Sequence, residues 1–183
     1  MELSDPSGRV RKNAYQSARG LEPAAAAGLV EAAERIAAEQ AAVGIERTVR
    51  EARDEGAGVR SCAVVAGAFV GAPLESILRS HALAHAGEGR LYQDALLQGA
   101  EACGLEAVAV PKRSIWEEGA AALGVPQDDL SQWINKLRRK LGPPWAEDQK
   151  LAALAAWTAL ARSARSASRE DPLMRPSGSS SGD

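Results

Sequence analysis

The chain has 183 residues, enough for one domain with extensions and for a real hydrophobic core. A formal charge of −2 excludes a chain that is basic throughout, so contact with nucleic acid or an anionic membrane would need a local patch. Aromatic residues are only 4% and alanine supplies much of the apolar content, which predicts a lean core of closely packed helices pinned by Trp116, Trp133, Trp145, Trp157 and the leucines.

Met1 to Gly20 is polar and interrupted by Pro6 and Gly8, and it reads as a flexible arm. Residues 21–164 read as a single α/β domain. From Arg165 onward the composition has little to bury, so 165–183 is expected to be a disordered tail. The N-terminus lacks the apolar run of a signal peptide, and no segment approaches membrane-spanning length. The expectation is a cytoplasmic protein that does not engage a membrane. Cys62 and Cys103 are isolated, which fits two buried small hydrophobes rather than a disulfide framework.

After the arm, Pro23 suits a first helical turn. Leu29, Ala33, Ile36 and Ala37 recur at helical spacing, and Ile45, Val49 and Ala52 continue the pattern to about Asp54. Gly44 marks a candidate break, so one long helix or two in tandem are both open. Ser61 to Val70 is short, β-branched and uncharged, the pattern of a buried strand. Ala72 to Arg79 reads as a loop or short helical turn. Ser80 then caps a long helix that stops at Gly104, and Leu105 to Val110 is a second strand ended by Pro111.

Strand, helix and strand in that order predict a right-handed βαβ unit with parallel strands. The fold class is thus α/β, helix-rich, with a small mostly parallel sheet and C-terminal helices. Ser114 and Glu117 have capping-box spacing at the start of a short helix. Beyond Pro126, Leu130, Trp133, Ile134, Leu137 and Leu141 form an apolar stripe ended by Gly142-Pro143-Pro144. A last helix follows over Ala146 to about Ala164, with Trp145 as a staple residue. Two parallel strands make a poor free-standing sheet. Either further strands lie within Val10–Tyr15 or Gly71–Leu78, or a partner chain completes the sheet, with homodimerisation the simplest version.

The helix at Ser80 carries the polar residues of most interest. At about 100° per residue, His81, His85, Glu88 and Tyr92 share one sector, which continues through Ala95, Leu96, Gly99 and Cys103 and is expected to face the core. Buried polar groups need partners or a cavity. Gly87 and Gly89 flank Glu88, and two helix-interior glycines suggest close packing or room for a ligand. His81, His85 and Glu88 are therefore candidate acid–base residues, with Tyr92, Gly87 and Gly89 as ligand-binding neighbours. The bland alternative is that the histidines cap the helix and Glu88 bonds one of them. No metal site is assigned, because no H-E-x-x-H signature or fourth ligand is present. No cofactor motif is found: there is neither a P-loop nor a G-x-G-x-x-G in register with a strand.

Gly119 to Leu141 carries Ala120, Leu123, Gly124, Val125, Leu130 and Trp133 at the spacing of a helix-turn-helix and resembles bacterial regulators of that class. The resemblance implies DNA contacts from Gln127, Gln132, Arg138 and Arg139. Gly119 stands where a bulky apolar residue is usual, and Asp128 and Asp129 would meet phosphates.

A wider likeness covers Ser61 to Leu160. The order of strand, helix from Ser80, strand before Pro111, and alanine-rich helix after Asp148 is similar to the second half of ribonuclease-H-like proteins, notably Holliday-junction resolvases. That likeness implies related topology. Those enzymes hold metal ions with acids on strands and on the last helix, whereas here the strand from Ser61 has no acid and only Glu147 and Asp148 stand near the last helix. The functional expectation is a polar ligand-binding or acid–base site on the helix from Ser80. The alternatives are a DNA-associated protein or a non-catalytic interaction module.

Overall fold

The computed structural model describes residues 12–68 and 71–170, together with Leu3, Asp5 and Gly8. Seven helices and two strands run in the order α1 (Ala14–Ala18), α2 (Pro23–Asp54), β1 (Ser61–Ala66), α3 (Leu74–Arg79), α4 (His81–Ala102), β2 (Glu106–Pro111), α5 (Ile115–Leu123), α6 (Gln127–Leu141) and α7 (Glu147–Glu170) among the described residues. The strands are parallel, with Ser61 opposite Glu106 and Ala66 opposite Pro111, and α4 is the crossover between them. The helix-rich α/β class read from the sequence is the class observed.

The strands separate two cores. On one side α1 to α4 pack through Val30, Ala37, Ala41, Ala84, Leu91 and Ala95. On the other, Val110 meets Ile115, Leu130, Ile134, Leu151 and Leu154 from α5, α6 and α7. Ala63 and Val65 pack against this second core. Successive strand residues face opposite ways, so Val64, which is buried, faces the α4 side.

Alanine allows the long helices to come close. α2 runs 32 residues, about 48 Å at 1.5 Å per residue. It is continuous through Gly44, which is buried at the contact face rather than at a break. The tightest approach to backbone is at Gly99, where an added Cβ would sit 2.7 Å from the Ala42 amide nitrogen and 2.8 Å from the Ala41 Cβ. Backbone cannot yield as a flexible side chain can, so only glycine fits there.

Several local expectations change. Ala14 to Ala18 of the supposed arm is a helix with Ala14, Tyr15 and Ala18 buried. The stretch from Leu74 to Arg79 is helical as well, so the described parts of Val10–Tyr15 and Gly71–Leu78 supply no strand. β1 stops at Ala66, and Phe69 and Val70 lie outside the described residues, as do Val10 and Arg11. The last helix extends to Glu170, past the predicted Ala164, and the rest of the expected tail lies outside the described residues.

The caps also differ in part. Ser80 caps α4 as expected, its hydroxyl accepting from the Leu83 amide at 3.3 Å. Ser114 and Glu117 form no capping box. Instead the Ser114 hydroxyl donates to Glu118 Oε1 at 2.6 Å, and Arg162 donates to Glu118 Oε2 at 2.6 Å, tying α5 to α7. At α7 the Ala146 amide donates to Gln149 Oε1 at 3.0 Å, the reciprocal bond of a capping box.

Two glycines on α4 should respond in opposite senses to alanine. Gly99→Ala is expected to destabilise by about 1–3 kcal/mol through overpacking. Gly89→Ala meets nothing within 4 Å and is expected to stabilise by about 0.4–1 kcal/mol. Urea unfolding of the two variants checks both signs.

Candidate functional site

The polar stripe of α4 is built against one short segment of chain. Tyr92 donates its hydroxyl to the Lys12 carbonyl at 2.6 Å. The Gln16 amide donates to Glu88 Oε1 at 3.2 Å. Gln16 also reaches the His81 carbonyl with its side-chain amide at 3.4 Å, and Arg19 reaches His81 Nδ1 at 3.3 Å. The Tyr15 ring lies across Gly87, where an added Cβ would be 3.2 Å from ring carbons. About three turns of α4 thus grip residues 12–19, and the smallness of Gly87 is what lets the ring sit down. Gly89 is exposed and has no neighbour to accommodate.

Glu88 is 7% exposed, although it is a carboxylate. Its position over the first turn of α1 supplies an acceptor to backbone amides that have no partner within the helix. Burial pushes its pKa above the usual carboxylate value, opposed by the amides of Gln16, Tyr15 and Ala14 and by the charge of His85. Tyr15, pushed up to about 12 chiefly by burial and then by Glu34, donates to Glu34 Oε1 at 3.3 Å and joins the same cluster to α2.

His81 and His85 are exposed, against the expectation of a core-facing stripe. The buried face of α4 is centred on Ala84, Leu91 and Ala95, and the histidines lie at its rim, in the first turns of the helix. Their rings meet edge to face at 4.5 Å with Nε2 atoms 3.1 Å apart. Arginine can only donate, so His81 Nδ1 is the acceptor in its contact with Arg19. Neither ring bonds Glu88. Among the described residues no group of three His, Cys, Asp or Glu is placed to hold a metal ion.

A different site stands further along α4. A slot of about 680 Å³ runs beside β1, on the edge away from β2. Tyr92, Gln93 and Leu96 of α4 form one wall. Asp148, Leu151 and Ala152, one face of the first turns of α7, form the other. Ile45 and Val49 of α2 also line it. The polar groups are few: the Gln93 amide lies over Gly67, and Lys112 follows β2 directly, its amide donating to the Ala66 carbonyl at 2.8 Å. Cys62 lines the slot with its thiol pKa raised, first by burial and then by Cys103, which favours an uncharged thiol over a nucleophile. Gln93, Lys112 and Asp148 were not singled out as slot residues by sequence reasoning. The usable signal was the uncharged run Ser61 to Ala66, a strand that asks for neighbours on both edges.

The helix-turn-helix-like segment also takes shape. α5 and α6 are joined through Gly124 in the left-handed conformation, at φ 71°. Gly119 is small because Leu154 of α7 presses on it: an added Cβ would lie 2.6 Å from Leu154 Cδ1. Gln127, Gln132, Arg138 and Arg139 are all exposed on α6. Trp133 and Leu141 of its apolar stripe are 41% and 63% exposed, leaving Leu130 and Ile134 as its buried anchors.

Because the folded state holds a proton on Glu88 to higher pH than the unfolded chain, its contribution to stability falls as pH rises from the ordinary carboxylate range through the raised value. Glu88→Gln is expected to remove that fall while keeping an acceptor for Gln16. Wild-type stability minus that of the variant, followed by urea unfolding over about pH 4–8, should fall with rising pH and then level off. Glu88→Ala, which strands the α1 amides, should cost about 1–3 kcal/mol at the acid end of that range.

No helix among the described residues is long and apolar enough to cross a membrane. No family model, curated protein or solved structure matches the chain.

Proposed function

We propose that this protein is a binding module whose recognition site is the slot between α4 and α7. The observation that carries this reading is the slot itself. Its volume of about 680 Å³ falls within the range of sites for small molecules and short segments. Its walls are mostly apolar, and Gln93, Lys112 and Asp148 offer a few polar contacts that can orient a guest. It also lies beside a parallel strand whose C-terminal end opens towards Gly67 and Lys112, the end at which open α/β sheets take ligands. In this reading the stripe of His81, Glu88 and Tyr92 stabilises the wall by fastening residues 12–19 to α4, and the chemistry of the site is recognition.

Ala152 is exposed and lines the slot, so Ala152→Trp adds bulk there without entering either core. A thermal-shift screen with apolar carboxylates is expected to find guests that raise the melting temperature of the wild type. A guest at a hundred times its Kd contributes about 2.7 kcal/mol. Ala152→Trp should abolish the shift. Equal shifts in both proteins would place the guest elsewhere and defeat the reading.

A second reading rests on α6. Lys136, Arg138, Arg139 and Lys140 are exposed and form no ion pair among the described residues. Arg35, Arg47, Arg50, Arg79, Arg90 and Arg162 each face an acid. Four uncompensated cations on one helix favour a polyanion, and Asp128 and Asp129 at the other end of α6 oppose it. If α6 binds duplex DNA, log K should fall linearly with log salt, and Arg138→Ala with Arg139→Ala should reduce the slope by about 0.9 per charge removed. Affinity unchanged in the double variant would end this reading.

A further inference from the structure

We propose that the guest in the slot is an extended segment of another polypeptide, added as a third strand to the free edge of β1. This rests on the reading of the slot as the binding site and names its occupant.

The first argument is the strand edge. Arg60 and Ala66 direct their carbonyls to β2, accepting from the Glu106 and Lys112 amides at 3.1 and 2.8 Å. In a parallel ladder alternate residues bond to the same neighbour, so Cys62 and Val64 face β2 as well. Ser61, Ala63 and Val65 then turn their amides and carbonyls the other way, into the slot. Among the described residues none of these three has a backbone partner outside the β1–β2 ladder. A row of amides and carbonyls repeating every two residues, about 6.6 Å, is matched by another strand and by little else.

The second argument is the walls. α4 and α7 line the slot on either side of β1, as helices cover both faces of a buried strand. A strand laid along β1 would turn its side chains alternately to Tyr92, Gln93 and Leu96 and to Leu151 and Ala152. The same walls argue against a second copy pairing β1 with β1, because two recessed edges cannot meet before their flanking helices collide.

The third argument is charge. Among the described residues lining the slot, Lys112 and Asp148 are the charged ones. The central residues of the guest must therefore be uncharged, and an acid at one end would be placed to meet Lys112, which adjoins the C-terminal end of β1. The partner is a strand of about six small apolar residues bearing an acid at one end.

The test uses the full chain and uncharged Val/Ala/Ile hexapeptides with one glutamate at either end. Amide hydrogen exchange is read residue by residue. Binding is expected to slow exchange at Ser61, Ala63 and Val65 at least tenfold and to leave Cys62 and Val64, already in the ladder, little changed. Methylating alternate peptide nitrogens should abolish the effect, as should Ala152→Trp. Cys62 in a Cys103→Ser background should lose reactivity to a thiol reagent when the peptide is present. If apolar carboxylates bind in an Ala152→Trp-sensitive way but no peptide slows these three amides, the strand is wrong and the slot reading survives. If neither class binds, both fall. If the three amides already exchange slowly in the free protein and light scattering gives a dimer, a second copy is the occupant and the proposal is overturned.

Discussion

The six-residue parallel ladder between β1 and β2 is the constraint on which the molecule depends. It stands between the two hydrophobic cores, and its side chains alternate between them. α4 exists as a crossover because parallel strands cannot be joined by a tight turn. The ladder also leaves one debt, since β1 is paired on one edge only. An apolar strand edge in water is a hazard that folds normally cover or charge. Among the described residues it is neither charged nor paired, and helices shield it from above and below while leaving it reachable.

Small residues make that shielding possible. The contact of Gly99 with Ala41 and Ala42 draws α2 and α4 together, and Gly119 does the same for α5 and α7. The cost is a core with few large side chains, in which position matters more than volume. The clasp of α4 on residues 12–19 follows the same logic with polar groups. One buried carboxylate is tolerated because helix-terminal amides meet it, and burial is the largest influence on its pKa. An acid between two glycines near two histidines, which suggests acid–base chemistry in sequence, here accepts from the first turn of α1 and so helps to cap it.

Much of the fold was legible in the residues. The helix expected from Ser80 to Gly104 is His81–Ala102, and the second strand is displaced by one residue from its predicted start. Both are announced by a cap, a stop glycine and a proline. The helix at Pro23 was legible as periodicity but not as a single rod, because glycine at position 44 signals a break locally and a close contact globally. The site was harder. The angular reading grouped His81, His85, Glu88 and Tyr92 correctly, then assigned the whole sector to the core. Only Glu88 is fully buried, since the centre of the buried face lies towards Leu91 and the first turns of α4 project past their neighbours.

By itself, the sequence determined the kind of most elements after the first twenty residues, the parallel pairing of the two strands and the inadequacy of two such strands as a free-standing sheet. These follow from local periodicity, caps and the geometry of crossovers, all written within a few residues of each other. Tertiary structure alone decided that residues 12–19 fold back over Glu88, that the histidines stay in solvent, and that Lys112 and Asp148 join Gln93 around a slot. Those outcomes depend on which helix faces meet across long stretches of chain, and in an alanine-rich core the pattern of apolar residues is too uniform to say which.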